Sequence, residues 1–399
     1  MPGAAHTALL FALFACAAAA AAAPCATDAQ CSFNGVCAGG ACACDAAWRT
    51  VPGSPFGCSA LNLLNPVRGA GLHTVEDGRN VSSWGGSALR DERTGAYHMF
   101  ASQMVNHCGI ACWTENSHIV RATSATAAGA YQRVAAGGGE VFPVFSHEPN
   151  AVRDPASGEW ALFFTAKSPS GRRVCNCSDG SSPPGCGRGG GEGPTVVSWA
   201  PAPEGPWSPP LLLLDMPGGG EPDTNLAPVI LANGSLVGIW RTWGTSPACP
   251  RVRGGSCPHL VTAAHWKNAS SYVFHQEALF PELATRGSED PALYLDARGR
   301  FHALFHNMDP CPDYPCPEVA GGHAFSADGV AWSYTGVAYN SSGLYADGAP
   351  FSFSRRERPH PVMAADGVTI VALTTGVGYA DGSAAHGDAT FTFLQPVAS

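Results

Sequence analysis

The sequence predicts an all-β protein: a five-bladed β-propeller built from five repeated antiparallel sheets, preceded by a small disulfide-rich module. Three observations carry this. One hairpin pattern recurs five times along the chain. Glycine and proline are abundant, 48 and 33 of 399 residues, while sustained helical patterns are few. Six cysteines crowd between Cys25 and Cys58.

The ends and the composition set the class of protein. Residues 1–23 run from an apolar stretch (Leu9 to Phe14) into alanines ending at Ala23. Such a segment with small residues at its end predicts a secretory signal peptide, although no Lys or Arg precedes the apolar part. Alanine is weakly apolar and the run is shorter than the ~20 residues of a membrane span, so stable membrane insertion is not expected. The C-terminal residues carry no lipid-anchor pattern. A net charge of −9 gives no basic footprint and argues against a nucleic-acid partner. With 45% hydrophobic and 13% charged residues, the chain is not disordered. Sixteen cysteines suit an oxidising compartment. Five Asn-x-Ser sequons, at Asn80, Asn176, Asn233, Asn268 and Asn340, suit a secreted glycoprotein with those residues in surface loops.

The first folded piece spans residues 24–60, with Cys25, Cys31, Cys37, Cys42, Cys44 and Cys58. The Asn34-Gly35 turn and the Cys42-x-Cys44 step before Trp48 resemble an EGF-like domain. Spacing alone leaves many pairings open. The resemblance implies Cys25–Cys37, Cys31–Cys42 and Cys44–Cys58. So small a piece has little core, and its bridges would hold it folded. A zinc ribbon is disfavoured because no paired Cys-x-x-Cys spacing is present. The calcium-binding variety of the module needs several acidic and amide ligands around the first cysteine, and Asp28 alone does not supply them. The module is read as structural or as a spacer.

Residues 61–399 hold the repeats. Each copy is a small or polar residue, two or three apolar residues, a turn with Asp, Asn or Gly, then an alternating aromatic-rich run. The copies begin at Ser87, Asn150, Pro228, Pro291 and Pro361, that is 63, 78, 63 and 70 residues apart. Each reads as a β-hairpin. An apolar strand, a small-residue turn and an aromatic follow four of them, from Val120, Val197, Val261 and His323. A hairpin plus another strand pair makes a four-stranded sheet, and radial repetition of such sheets makes a propeller. A β-sandwich would not repeat one motif five times at this interval, and β-helix coils are far shorter.

In a propeller the innermost strand of each sheet lines the central channel, so the segments leading into the hairpins meet at one mouth. They read Ser83-Trp84-Gly85-Gly86, Ser146-His147-Glu148-Pro149, Glu221-Pro222-Asp223-Thr224-Asn225, Ser288-Glu289-Asp290-Pro291 and Arg356-Glu357-Arg358-Pro359-His360. Four of the five carry ionisable residues in a chain poor in charge. Charges gathered in an enclosed mouth are costly unless paired or functional.

The hairpin pattern, the Gly205-Pro206-Trp207 turn and the Glu289-Asp290-Pro291 lead-in resemble the five-bladed glycoside hydrolases of the arabinanase, invertase and levansucrase type, nearest to family 43. The likeness runs over roughly residues 62–395. It implies two-carboxylate acid/base hydrolysis of a polysaccharide or oligosaccharide. The family uses an Asp of blade one as base, an Asp of blade three to tune the acid, and a Glu of blade four as the acid. By position, Asp223 is then the tuning carboxylate and Glu289 the general acid. The blade-one position holds Trp84-Gly85 and no carboxylate.

Glycosidic cleavage needs one protonated and one ionised carboxyl group. Asp290 beside Glu289 offers such an asymmetry, since a neighbouring negative charge raises proton affinity. Glu148 stands in for the absent base. His147 and His360 are alternative proton carriers, with ordinary pKa values near ~6.5. Arg358 suits the carboxylate or sulfate of an acidic sugar. Trp84 offers a flat face to a sugar ring, and Asn225 lines the mouth. No cofactor or metal is expected, and nothing in the sequence specifies a calcium ion in the channel. The second class of function is a catalytically silent carbohydrate-binding or adhesion protein, favoured by the absent blade-one carboxylate and the attached module.

Nine cysteines remain. Spacing predicts short loops for Cys108 with Cys112, Cys249 with Cys257, and Cys311 with Cys316. Cys175, Cys177 and Cys186 lie in a Gly/Pro/Ser-rich insertion and leave one thiol over.

Overall fold

The computed structural model describes residues 23–135, 139–167, 173–177, 183, 186, 193–215, 224–243, 256–280, 287–307, 321–379 and 388–399. The expected signal peptide, apart from Ala23, lies outside them, as do Asp223, Cys249, Cys311 and Cys316.

All five hairpins form. Their first strands are β1 (Ser83–Arg90), β2 (Ser146–Arg153), β3 (Ala227–Ile230), β4 (Ser288–Leu295) and β5 (Pro350–Met363). Each returns antiparallel through a second strand, at Tyr97–Met104, Trp160–Ala166, Leu236–Trp243, Phe301–Asn307 and Ile370–Tyr379. The turns share one device. Asp91, Asp154, Asn233, Asp296 and Asp366 each accept the N–H two residues on, at 2.9–3.0 Å. A glycine at positive φ closes each turn (Gly95, Gly158, Gly234, Gly299 and Gly367). The short Asx side chain mimics a backbone turn, and glycine takes the left-handed position at no steric cost.

Hairpins two, three and four extend into separate four-stranded antiparallel sheets. The first and last are joined into one assembly. The strand Gly71–Leu72 runs parallel to Ala130–Tyr131 of the first sheet and antiparallel to Thr392–Phe393 of the last. The last sheet takes its third strand, Thr390–Pro396, from after the fifth hairpin, and only its fourth from ahead of the first. β1 contacts β2, β2 contacts β3, β3 contacts β4, β4 contacts β5, and β5 contacts β1. The innermost strands thus follow one another in cyclic order, a propeller-like arrangement.

Apolar cores fill the spaces between neighbouring sheets. On the strand Tyr97–Met104, Phe100 faces Trp160 and Leu162 of the next sheet, while Met99 and Ala101 face Val362 and Leu394 of the last. Alternate residues serve opposite cores because strand side chains alternate sides. With both faces covered, the whole strand is buried.

The three N-terminal disulfides are Cys25–Cys37, Cys31–Cys42 and Cys44–Cys58. The module they hold is not a spacer. Cys31, Trp48 and Cys58 share a core with Tyr294, Leu304, Tyr339 and Leu373 of the fourth and fifth sheets. The Trp48 ring lies 4.6 Å from the His323 ring, and Phe33 meets Phe325 edge-on at 5.1 Å.

Elsewhere the expected short loop between Cys108 and Cys112 does not form. Cys108 joins Cys177, 69 residues away, and Cys112 lies against Cys186 rather than Cys108. Cys108 lies just ahead of a tight 3-10 turn, Ile110–Cys112, that Cys112 ends, and Cys175, Cys177 and Cys186 pack in one cluster with both. Cys257 is disulfide-bonded, but Cys249, its expected partner, is outside the described residues. All five sequon asparagines are exposed. Among the described residues no helix is long and apolar enough to cross a membrane.

Candidate functional site

The inner strands break register where the expected mouth lies. Pairing slips between Trp84 and Ser87, His147 and Asn150, Glu289 and Ala292, and Glu357 and His360. In each gap one residue is left-handed: Gly85 (φ 63°), Glu148 (58°), Asp290 (55°) and Arg358 (53°). Just ahead of β3, Asn225 (43°) takes the equivalent place. For a residue with a side chain this conformation costs about 1–2 kcal/mol. Bulges of this kind re-aim side chains, and such strain gathers at functional sites.

These bulges bring most of the expected residues together. Nη1 of Arg358 lies 3.0 Å from a carboxylate oxygen of Glu148 and 3.0 Å from one of Asp290. The Arg358 N–H donates to the other Asp290 oxygen at 3.2 Å. Asn225 donates through Nδ2 to Glu148 and accepts through Oδ1 from Nε of Arg241. Arg241 reaches Glu289 at 3.6 Å, and His306 Nδ1 reaches it at 3.2 Å. One polar network therefore links β2, β4 and β5 through Asn225, with Glu148, Asp290 and Arg358 almost wholly buried. Removed from water, such charges are strongly coupled.

Burial raises the Asp290 carboxyl to about 7, with the charges of Glu289 and Glu357 adding to the rise and the Arg358 guanidinium opposing it. Burial alone would lower the His306 imidazole. The carboxylates of Glu357, Glu289 and Asp290 reverse this and push it up to about 9. His306 therefore carries its proton at neutral pH, one hydrogen bond from Glu289. His360 shows the opposite case. Burial, helped by Arg358, lowers it to about 3, so its ring stays neutral and is no proton source near pH 7.

His147 sits beside Glu148, its Nε2 3.5 Å from the carboxylate. Its Nδ1 meets Ser117 Oγ at 2.6 Å, and the Trp113 ring stacks on it at 4.8 Å. Lys167 Nζ lies 4.4 Å from the centre of the Trp113 ring. Trp84 is 3% exposed and packs on Met104, Cys108 and Cys112, in the wall of the site and not as an open ring face. Arg358, expected to bind an anionic sugar, spends its donors on Glu148 and Asp290.

Arg241, His306, Trp113 and Ser117 are absent from the expected set. Arg241 and His306 lie on second strands, and His306 stands directly opposite Glu289 in the ladder. Their signal is a polar pair after the apolar run of a second strand, as in Ser102-Gln103, Arg241-Thr242, His306-Asn307 and Thr374-Thr375. The side-chain oxygens and nitrogen of Glu289, Asp290, His306 and Glu357 lie within 4.8 Å of one another, a donor set able to surround a cation.

No family model matches this sequence, and no curated protein matches it. Solved structures do resemble the chain. An α-L-arabinofuranosidase of Podospora anserina, in complex with cellotriose, shares 12% identity at a TM-score of 0.50, over 86% of this chain and 96% of that one. A family 117 glycoside hydrolase of the marine bacterium Zobellia galactanivorans shares 12% at 0.49, over 85% and 90%. An α-L-arabinofuranosidase of Lactobacillus brevis shares 15% at 0.46, over 79% and 90%. At such identity the likeness to the Podospora enzyme speaks for the fold.

Proposed function

We propose that the chain is a secreted, N-glycosylated, glycoside hydrolase-like protein acting on a polysaccharide or oligosaccharide, with a five-bladed propeller behind an EGF-like module. The observation that carries this reading is the meeting of Glu148, Glu289, Asp290 and Arg358, from three different inner strands, at one bulged and buried locus. Two-carboxylate hydrolysis wants carboxyl groups roughly 5–10 Å apart. Glu148 and Asp290 share one Arg358 nitrogen at 3.0 Å each, and an oxygen of Asp290 lies within 4.8 Å of one of Glu289, so Asp290 stands between the two carboxyl groups whose separation that requirement concerns.

Glu289 is the general acid in this reading, resupplied with a proton across its hydrogen bond from His306. Glu148 is the base that activates water, oriented by Asn225 and Arg358. Asp223 tunes the acid. Asp290 and Arg358 set the local field, and His147 steadies Glu148. Sugar polymers are the partner class, and export rests on the leader, the exposed sequons and the disulfides.

The test is incubation of the purified protein with neutral and acidic polysaccharides beside Glu289→Gln and Glu148→Gln. General acid–base groups are worth about 10²–10⁴-fold, and a loss of that order is expected in each variant. Equal product release from all three proteins overturns the assignment. Gly85 favours the second reading, binding without cleavage, because the lead-in of the first hairpin, Ser83-Trp84-Gly85-Gly86, holds no carboxylate. Retention on a glycan array with no product released supports it.

A further inference from the structure

The N-terminal module and the fourth sheet meet over two buried imidazoles. His302 and His323 sit on adjacent strands of that sheet, Phe301–Asn307 and Gly321–Ser326, and both are wholly buried. Nδ1 of His302 lies 3.1 Å from Nε2 of His323. The bonds around His323 fix where its proton lies. Thr335 has one hydroxyl hydrogen and gives it to the His323 carbonyl at 3.1 Å. The same oxygen, 3.0 Å from Nδ1, therefore accepts there, and Nδ1 carries the N–H. Nε2 is then a bare acceptor. Two donors point at it: Nδ1 of His302 and, 3.4 Å away, Nδ2 of Asn34 in the module. The orientation of the Asn34 amide is set by a second bond, from Nδ2 to the Cys58 carbonyl at 3.1 Å. The Trp48 ring covers His323, and Phe33 and Phe56 both meet Phe325 on the same strand.

We propose that this contact is an acid-released clasp: with His323 neutral, Asn34 and Trp48 seat the module on the fourth sheet, and a proton on His323 frees the module while the sheets stay folded. That proton has one place to go, Nε2, where it meets two donors. A buried donor left without an acceptor, and charged besides, is strongly unfavourable. The ionisable groups nearby do not relieve it. Asp296, in the hairpin turn, stands 3.6 Å from Nε2 of His302 and so serves the other ring. Arg298 pairs with Asp296 and with Asp45 of the module, and the Tyr294 ring of β4 stacks on His302 at 5.1 Å. The pair thus has room for an extra proton on His302, against Asp296, and none on His323. Burial holds His323 well below the usual imidazole range, and the His302 ring adds to the fall. Burial lowers His302 as well, against the pull of Asp296. Released into water, His323 returns toward its ordinary value near ~6.5. Docking is therefore complete above that pH and weakens below it, where the released form binds a proton that the docked form refuses.

Hydrogen exchange of the full chain, read by mass spectrometry between about pH 7.5 and 4.5, tests this when protection is expressed against the free-chain rate at each pH. Protection of the module strands Trp48–Arg49 and Ala60–Leu61 is expected to fall by about tenfold per pH unit below ~6.5, since release takes up one proton. The strand Tyr97–Met104 should stay the better protected throughout, because local release leaves the sheets intact. His323→Gln, which takes up no proton in this range, should flatten the module's slope. Asn34→Asp, which sets an acceptor opposite Nε2, should flatten it too. Module protection that does not change across the range overturns the proposal. So does protection equal to that of Tyr97–Met104 at every pH, which would mean that the module opens only with the whole chain. A slope equal to wild type in either variant assigns the proton to another group and also overturns it. The wild-type profile decides the matter even if a variant fails to fold.

Discussion

Arg358 occupies the space that a side chain at Gly85 would need: a Cβ on Gly85 would fall 3.1 Å from the Arg358 Cβ and 3.2 Å from its Nε. The first sheet thus yields its place at the axis to a cation from the last. Gly85→Ala adds this crowding to a left-handed backbone, and should destabilise the fold by about 1–3 kcal/mol. Urea unfolding measures it. A change under about 0.5 kcal/mol, the level of a neutral surface substitution, would mean that the two strands can part freely.

Removing the guanidinium leaves Glu148 and Asp290 buried without their cation. Breaking one side of a buried pair costs about 3–5 kcal/mol, so Arg358→Met is expected to lose that much. Adding Asp290→Asn should recover part of the loss, because the two sites share a network. If the single substitution costs less than about 1 kcal/mol, as exposed pairs do, the carboxylates are solvated after all.

Two histidines should shape opposite limbs of the pH–stability curve. His306 is raised to about 9, so its contribution is complete below its ordinary value near 6.5 and fades as pH climbs through 9. His360 is held down to about 3, so between 6.5 and 3 the unfolded chain binds a proton that the folded chain refuses. Stability then falls on acidification. Melting temperature against pH should show a flatter alkaline limb in His306→Gln and a flatter acidic limb in His360→Gln. Curves parallel to wild type in both variants contradict these environments.

The N-terminal module should hold by packing and not by charge. Trp48 is 5% exposed against His323, and Trp48→Ala is expected to cost about 3–5 kcal/mol. Asp45 pairs with Arg298 where both side chains are well exposed, and Asp45→Ala should cost under about 1 kcal/mol. Thermal unfolding of the two variants compares them directly. Equal losses would mean that the ion pair is the true tether.

The hairpins were legible because their turns carry local chemistry: Asp91-to-Gly95 or Asp366-Gly367 specifies a reversal within a few residues. The meeting of Glu148, Glu289, Asp290 and Arg358 followed from the repeat, since equivalent positions of repeated sheets converge. Gly71–Leu72 was not legible, because two residues carry no periodicity. Arg241 and His306 escaped notice because strand pairing, and not their sequence neighbours, sets them against Asn225 and Glu289. The Cys108–Cys112 pairing failed for a related reason. Loop-closure entropy grows only slowly with length, so a bridge across 69 residues is hardly dearer than a local one.

The strand Gly71–Leu72 ties the beginning of the β domain to its end, and this has a bearing on how the chain is made. Thr390–Pro396 follows the other described strands of the ring in the sequence, so these must wait with two unpaired borders until that segment has been made. A chain cut just before Thr390 would hold the other strands yet stay unlatched, prone to stick to its own kind.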